Sequence, residues 1–358
     1  MKNFLTPAEE IRLQALNQLH DPLQTLNTYI DFESFRPTLE HIFPRPAPTA
    51  PGRRAFDAVM MFKILILQRL YHLSDEQTEF QLNDRRTFLR FVGLRPQDKV
   101  PDYTTIWKFR ETLAKTHSVE ELFTQFVLQL RQRGVITQNG VIIDASVTEV
   151  PRQRNTHTEN ETIKQGEIPE AWQQQEHKLA QKDTDARWSR NCRNETFYGY
   201  KNHVAVDTGS KMILQYHVTD AAVHDNNVFE QLLVPLLPLP AGTPVHADTA
   251  YPRNERTDWL ATHALGNKIQ VKTPRGGSLT PMQKTWNQAC AKIRCRVEHV
   301  FGCIQNSFNG PELEYIGITR ITAGIGLTNL AYNMVRFVQK FRDLPQVFCL
   351  LQYRNRTV

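Results

Sequence analysis

Asp144 ends the apolar run Val141-Ile142-Ile143, Asp248 follows Pro244-Val245-His246-Ala247, and Glu298 lies within Arg294-Cys295-Arg296-Val297-Glu298-His299-Val300-Phe301. Two of these acids follow strand-like runs, and the third sits on a helix rich in positive charge. Strand ends and a facing helix can bring oxygen ligands together around two divalent cations that bridge a scissile phosphate, as two-metal phosphodiester chemistry requires. Each acid alone has a plainer account: an Asp after a strand caps a turn, and a Glu among arginines makes a surface ion pair. The order of the three is what argues for a site.

The elements that must position them change character along the chain. The first 50 residues are amphipathic and close on the proline-rich stretch Pro44-Arg45-Pro46-Ala47-Pro48-Thr49-Ala50-Pro51-Gly52, which reads as a linker. Residues 58–71 are apolar on nearly every side and predict a central buried helix. Ser74 or Asp75 caps a helix to about Asn83, and a third runs over 85–92 until Gly93. Pro101-Asp102-Tyr103-Thr104-Thr105-Ile106-Trp107-Lys108-Phe109-Arg110 predicts a capped helix carrying Lys108 and Arg110. Together these short helices read as a helix-turn-helix-like unit or as a small packing bundle. A further amphipathic helix over 118–133 stops at Gly134.

From Gly140 short apolar strands are expected at 141–143, 198–206, 212–218, 243–247 and 268–272, with helices at 227–237, 254–263 and 281–306. This α/β order suits a ribonuclease-H-like fold, a mixed five-stranded sheet flanked by helices with an all-helical N-terminal domain; periodicity alone leaves other α/β folds open. The polar stretch 151–196 reads as a long insertion, partly disordered without a ligand. A helix with an apolar face is expected at 321–341. The divisions are 1–50 for the helical segment and linker, 51–134 for the DNA-binding helices, 138–309 for the catalytic domain and 310–358 for a C-terminal helical segment.

Residues 267–304 hold seven Lys or Arg (Lys268, Lys272, Arg275, Lys284, Lys292, Arg294, Arg296) against the single acid Glu298, which equals the net charge of +6 of the whole chain. An acid embedded in such a run points to a polyanion site rather than a merely solvated helix face. The five cysteines, Cys192, Cys290, Cys295, Cys303 and Cys349, form no CxxC pair and read as reduced thiols. The sequence from Met1 shows no signal-peptide core, and the apolar run 58–67 is too short to span a bilayer, so a cytoplasmic protein without a membrane partner is expected, nucleoid-associated when bound to DNA. Phosphate-binding loops, dinucleotide fingerprints, HExxH and nucleophile elbows are all missing.

Several stretches together resemble the bacterial insertion-sequence DDE transposases, and within them the insertion-sequence-five group: Val141-Ile142-Ile143-Asp144-Ala145-Ser146, Tyr198-Gly199-Tyr200-Lys201-Asn202-His203-Val204-Ala205-Val206-Asp207, Ala247-Asp248-Thr249-Ala250-Tyr251, and Arg294-x-Arg296-Val297-Glu298-His299-Val300-Phe301. Residues 52–110, with Leu73-Ser74-Asp75 and Pro101-Asp102-Tyr103-Thr104-Thr105, look like that family's N-terminal domain. The resemblance implies that Asp144, Asp248 and Glu298 form a DDE triad holding two Mg²⁺ ions, with Mn²⁺ as a substitute. Arg294 stands four residues before Glu298 and shares its helix face, aimed at the same phosphates. The chain departs from the family pattern at Ala291, where a tyrosine is common, and at Gln305, where a lysine is usual.

The expected activity is that of a transposase that binds the terminal inverted repeats of its own element, hydrolyses phosphodiester bonds and joins 3′-hydroxyls to target DNA, as a homodimer on double-stranded DNA. The alternatives are a nuclease or resolvase of the same fold, and a catalytically impaired sequence-specific DNA-binding protein. Besides Arg294, the expected DNA contacts are Lys292, Lys284, Lys201, Lys108 and Arg110. Lys201 and His203, on a strand with alternating direction, either touch DNA or line the sheet; His224-Asp225 reads as a helix start rather than as a pair supporting the site; His246 and His299, facing away from the acids, are set aside.

Overall fold

The computed structural model describes residues 7–19, 21–44, 55–190, 194–251, 253–308, 313 and 315–342. They fall into two compact units: one takes in the chain up to Thr116 together with residues from Met334 onward, and the other spans His117–Asn333. The expected linker, apart from Pro44, lies outside the described residues, as do Cys192 and Cys349. Among the described residues, Cys290, Cys295 and Cys303 form no disulfide. No helix among the described residues is long and apolar enough to cross a membrane.

The first unit is helical, built from Pro7–Gln18, Pro22–Tyr29, Arg36–Ile42, Ala58–Tyr71, Asp75–Asp84, Arg86–Val92, Tyr103–Lys115 and the end of a long helix, Ile318–Arg342. Ala58–Tyr71 is its buried centre, because a helix apolar on all sides has to be surrounded; Phe62, Ile64, Leu65, Ile66 and Leu67 are wholly inaccessible. The one charge in that run, Lys63, is accommodated by donating to the Phe91 carbonyl at 3.3 Å and lying over the Phe32 and Phe91 rings. Ends fall where the sequence signals them. Ser74 and Gln77 form a reciprocal capping box, Asp102 accepts the Thr105 N–H at 2.7 Å, and Gly93 at φ +86° closes Arg86–Val92.

The second unit holds one mixed sheet. Its strands are β1 (Val141–Glu149), β2 (Arg187–Arg190), β3 (Thr196–Asp207), β4 (Ile213–Asp220), β5 (Pro244–His246) and β6 (Gly266–Asn267). β1 is antiparallel to β3 on one side and parallel to β5 on the other, and β6 runs parallel to β5. The far edge of β3 is shared, its start by β2 and the remainder by β4. Three antiparallel strands followed by two parallel ones, with helices between, give the expected ribonuclease-H-like arrangement. In β3 the register sets Gly199, at φ +150°, against Glu149, and a Cβ there would overlap the Thr148 carbonyl oxygen.

Four expectations are corrected. Among the described residues the sheet has six strands rather than five, because β2 comes from the polar stretch 151–196. That stretch also carries the helices His157–Lys164, Glu170–Gln173 and Glu176–Ala180. It orders itself around two buried side chains: Trp172, which donates to Glu159 at 2.6 Å, and Asp183, which accepts from the Tyr200 hydroxyl at 2.7 Å. No strand forms at 268–272; the strand lies just before it, at Gly266–Asn267, and Lys268 and Gln270 still donate to the Val245 and Ala247 carbonyls, but the Asn287 side chain takes both main-chain groups of Val271. The helix expected over 227–237 is a regular helix only at Phe229–Leu233, flanked by 3₁₀ turns, the second of which contains Pro235. The helix expected over 281–306 is two, Pro281–Arg294 and Arg296–Ser307.

The boundary between the units also falls earlier than position 134. Ser118–Gln132 groups with the sheet, its Phe123 ring 4.9 Å from that of Tyr216 on β4.

The helix Ile318–Arg342 is bound to the sheet by buried amides. Asn329 and Asn202 exchange hydrogen bonds at 3.0 and 3.2 Å, and Asn333 takes both main-chain groups of Ile213 at 2.9 and 2.8 Å. We expect Asn333→Leu to destabilise the protein by about 2–4 kcal/mol, since two buried main-chain groups each lose a partner. Urea unfolding of parent and variant checks this; coincident midpoints would mean that Ile213 finds its partners elsewhere.

Candidate active site

Val141, Ile142 and Ile143 are buried between β3 and β5, and the strand begins to open to solvent at Asp144. In the parallel pairing, Val141 lies opposite Val245 and Ile142 opposite His246. Continuing that register by two residues sets Asp144 opposite Asp248, on strand paths roughly 4.8 Å apart. Asp248 is fixed just past β5 by a turn of its own, with Oδ1 accepting the Ala250 N–H at 2.8 Å. Two acids far apart in sequence thus come level, Asp144 within β1 and Asp248 just past the end of β5.

Glu298 reaches this end differently. The helix Pro281–Arg294 stops at Cys295, and Glu298 lies in the first turn of Arg296–Ser307, where a negative charge suits the helix dipole. Across the break Arg294 remains its neighbour, with Nη2 donating to Glu298 Oε1 at 3.4 Å and Nη1 donating to Asp144 Oδ2 at 2.7 Å. One guanidinium therefore links the first and third acids. Side-chain exposure is 17% for Asp144, 23% for Arg294 and 62% for Glu298, so the pair with Asp144 is the protected one. Among the described residues no three carboxylate, imidazole or thiol groups come together closely enough to enclose an ion; Glu298 is joined to Asp144 through Arg294 rather than placed beside it.

Burial pushes the Asp144 carboxyl up to about 6, and the charge of Asp248 adds to that, while Arg294 and the Ala145 N–H pull it back. Tyr251, which sequence reasoning quoted only as part of a motif, is buried, and its hydroxyl has no hydrogen-bond partner among the described residues. Burial first, then the charges of Asp225, Asp144 and Asp248, raise its pKa far above the ordinary phenol. It acts as a neutral, low-dielectric wall beside the aspartates. Asp225 is paired with Lys201 at 2.9 Å. His246 is held neutral: burial, then Lys268 and Arg296, lower it to about 4. Burial likewise lowers His203 to about 4, where its ring meets the Thr219 hydroxyl at 2.9 Å.

The expected DNA contacts separate into two groups. Lys108, Lys284 and Lys292 are exposed. Lys201 is committed to Asp225 and the Val223 carbonyl, and Arg110 to a two-pronged pair with Asp75, 12% and 17% exposed. Gln305 is exposed and Ala291 half-buried.

The donor set fits divalent cations in kind. Two carboxylates on neighbouring strand paths and a third on a helix are hard oxygen ligands, the type that Mg²⁺ and Mn²⁺ take. The fold is of the ribonuclease-H-like class. Residues 137–334 match the family described as Transposase DDE domain, and residues 11–112 match Transposase domain (DUF772). The chain belongs to the DDE transposase family. Among solved structures, the piggyBac transposase in a synaptic complex with hairpin DNA is similar over 90% of this chain and 75% of that one, at 11% identity and a TM-score of 0.43.

A raised folded-state pKa means that the folded protein holds the Asp144 proton more tightly than the unfolded chain, whose Asp titrates near ~4. The resulting stability is complete below that value and is lost as pH rises to about 6. Asp144→Asn, which cannot ionise, is therefore expected to gain on the parent across this window, by up to about 3 kcal/mol. Urea midpoints of both proteins at the two ends of the window measure it; a constant difference would show that Asp144 titrates alike in the folded and unfolded chains.

Proposed function

We propose that this chain is the transposase of an insertion sequence of the insertion-sequence-five group, binding the terminal inverted repeats of its element and carrying out phosphodiester hydrolysis and strand transfer. Asp144, Asp248 and Glu298 are its metal ligands and Arg294 its phosphate-facing cation. The observation that carries the reading is the register of β1 on β5, which sets Asp144 level with Asp248 while Arg294 ties Asp144 to Glu298. Divalent cations held by these acids would supply Lewis-acid stabilisation of the scissile phosphate and of the attacking and leaving oxygens.

The chain's own residues do the rest. Asp144, at about 6, is ionised at neutral pH and so available as a ligand. Tyr251, neutral and buried, keeps the neighbourhood of the aspartates low in dielectric. Exposed Lys284 and Lys292, on the helix that ends in Arg294, extend positive charge away from the acids for a phosphate backbone to follow. The helical unit, with exposed Lys108 near the start of Tyr103–Lys115, is the reader of the repeats. Processing two ends together calls for a homodimer on DNA, in the cytoplasm and at the nucleoid.

Asp144→Asn, Asp248→Asn and Glu298→Gln should each lower Mg²⁺-dependent cleavage of a duplex bearing the inverted repeat by a factor of ~10³ or more while leaving its binding in place. Near-parental cleavage by any of the three would remove that residue from the triad, and cleavage without strand joining would favour a nuclease or resolvase. In a separate titration, Lys284→Glu with Lys292→Glu should reduce the slope of log K against log[salt] by about 2, one phosphate contact per lysine. An unchanged slope would move the DNA path off this helix.

A further inference from the structure

Arg294 holds its place between the acids with an incomplete set of partners. Nη1 meets Asp144 Oδ2 at 2.7 Å and Nη2 meets Glu298 Oε1 at 3.4 Å. Nε is buried and has no hydrogen-bond partner among the described residues. Arg256, by comparison, has Nε, Nη1 and Nη2 all engaged, by Glu230 and by two oxygens of Asn226. Arg294 is instead held mainly by charge, at the last residue of its helix, where the chain breaks at Cys295. The oxygen that it occupies, Asp144 Oδ2, is also one that a divalent cation on this carboxylate would need, and two cations cannot share it without repulsion.

We propose that Arg294 is an internal counter-ion that competes with divalent cations for Asp144, so that metal loading and release of Arg294 from Asp144 are one coupled event. The released side chain keeps Glu298 as its neighbour four residues on and is free to turn to a polyanion. This rests on the reading of Asp144 as a metal ligand. The contrasting idea, that Arg294 only holds the acids in position, predicts the opposite sign: removing it would then loosen the acids and weaken metal binding.

The experiment is a Mn²⁺ titration of the full-length protein without DNA, followed by calorimetry and by the electron-spin signal of free Mn²⁺. If the pair is formed nine-tenths of the time, roughly, Arg294→Gln should tighten apparent Mn²⁺ affinity about tenfold, since the competent fraction rises from ~0.1 to ~1. Arg294→Lys, a point charge without the planar fork, should fall between parent and Arg294→Gln. Melting provides the check on folding. Without Mn²⁺, Arg294→Gln should melt below the parent because Asp144 is left buried and unpaired, and added Mn²⁺ should raise its Tm by more than it raises the parent's. Equal or weaker Mn²⁺ affinity in Arg294→Gln, or a Tm that responds to Mn²⁺ no more than the parent's, overturns the proposal. Asp144→Asn separates the two layers. Loss of Mn²⁺ binding in Asp144→Asn without a gain in Arg294→Gln sinks the competition alone, whereas undiminished binding in Asp144→Asn sinks the metal-ligand reading and the competition with it.

Discussion

Asp144 and Asp248 become neighbours because β1 lies parallel to β5, with Val141 opposite Val245 and Ile142 opposite His246. Everything else at the site depends on that pairing. The apolar runs before each acid are buried on both faces of the sheet and admit one register, since a shift by one residue would put the charge of Asp144 in the enclosed position of Ile143. The acids stand where the runs end, so the force that packs the strands also levels the carboxylates. β3, antiparallel along the whole of β1 from Val141 to Glu149, leaves the strand no freedom to slip.

The cost of the arrangement is electrostatic. A carboxylate so nearly enclosed is disfavoured as an ion, more so with a second aspartate close by, and the upward displacement of Asp144 to about 6 reflects that. Arg294 offsets part of it, at the end of a helix whose start carries the reciprocal cap of Thr280 and Gln283. The helices on either side of Cys295 carry Arg294 and Glu298, and the guanidinium reaches both the exposed Glu298 and the enclosed Asp144 on β1.

Around the site the second unit is tied by polar side chains in places where an apolar core would be expected. Asn333 completes the main-chain hydrogen bonds of Ile213, Asn202 and Asn329 pair face to face, and Asp183 gathers the N–H groups of Asp185 and Ala186 with the Tyr200 hydroxyl. Such contacts are directional and cannot be met by a slipped or rotated helix, so they fix Ile318–Arg342 and the 151–196 stretch on the sheet in one arrangement. In the helical unit Arg110, Asp75 and Gln68 do the same between Asp75–Asp84, Tyr103–Lys115 and Ala58–Tyr71.

Much of the fold and the positions of the candidate acids were legible in the sequence, because they follow from local chemistry: the all-round apolar Ala58–Tyr71 helix, the caps at Ser74 and Asp102, the glycine stop at Gly93, and the apolar runs that end at Asp144 and just before Asp248. What a residue meets across the fold was not legible. Lys201 and Arg110 look the same in sequence as Lys284 and Lys292, yet the first two are consumed by Asp225 and Asp75 and the others are exposed. The turn at Cys295 falls in a run with neither Gly nor Pro, so no local signal marks it. The 151–196 stretch looked too polar to order itself because a count of apolar residues gives Trp172 and Asp183 no weight for the partners they find. The sequence by itself determined which acids follow the apolar runs and in what order, though not that β1 continues past Asp144 to Glu149. Only the tertiary structure decided that Asp144 would be enclosed and Glu298 exposed, and that Arg294 would lie between them, because burial and charge pairing depend on distances that no local pattern contains.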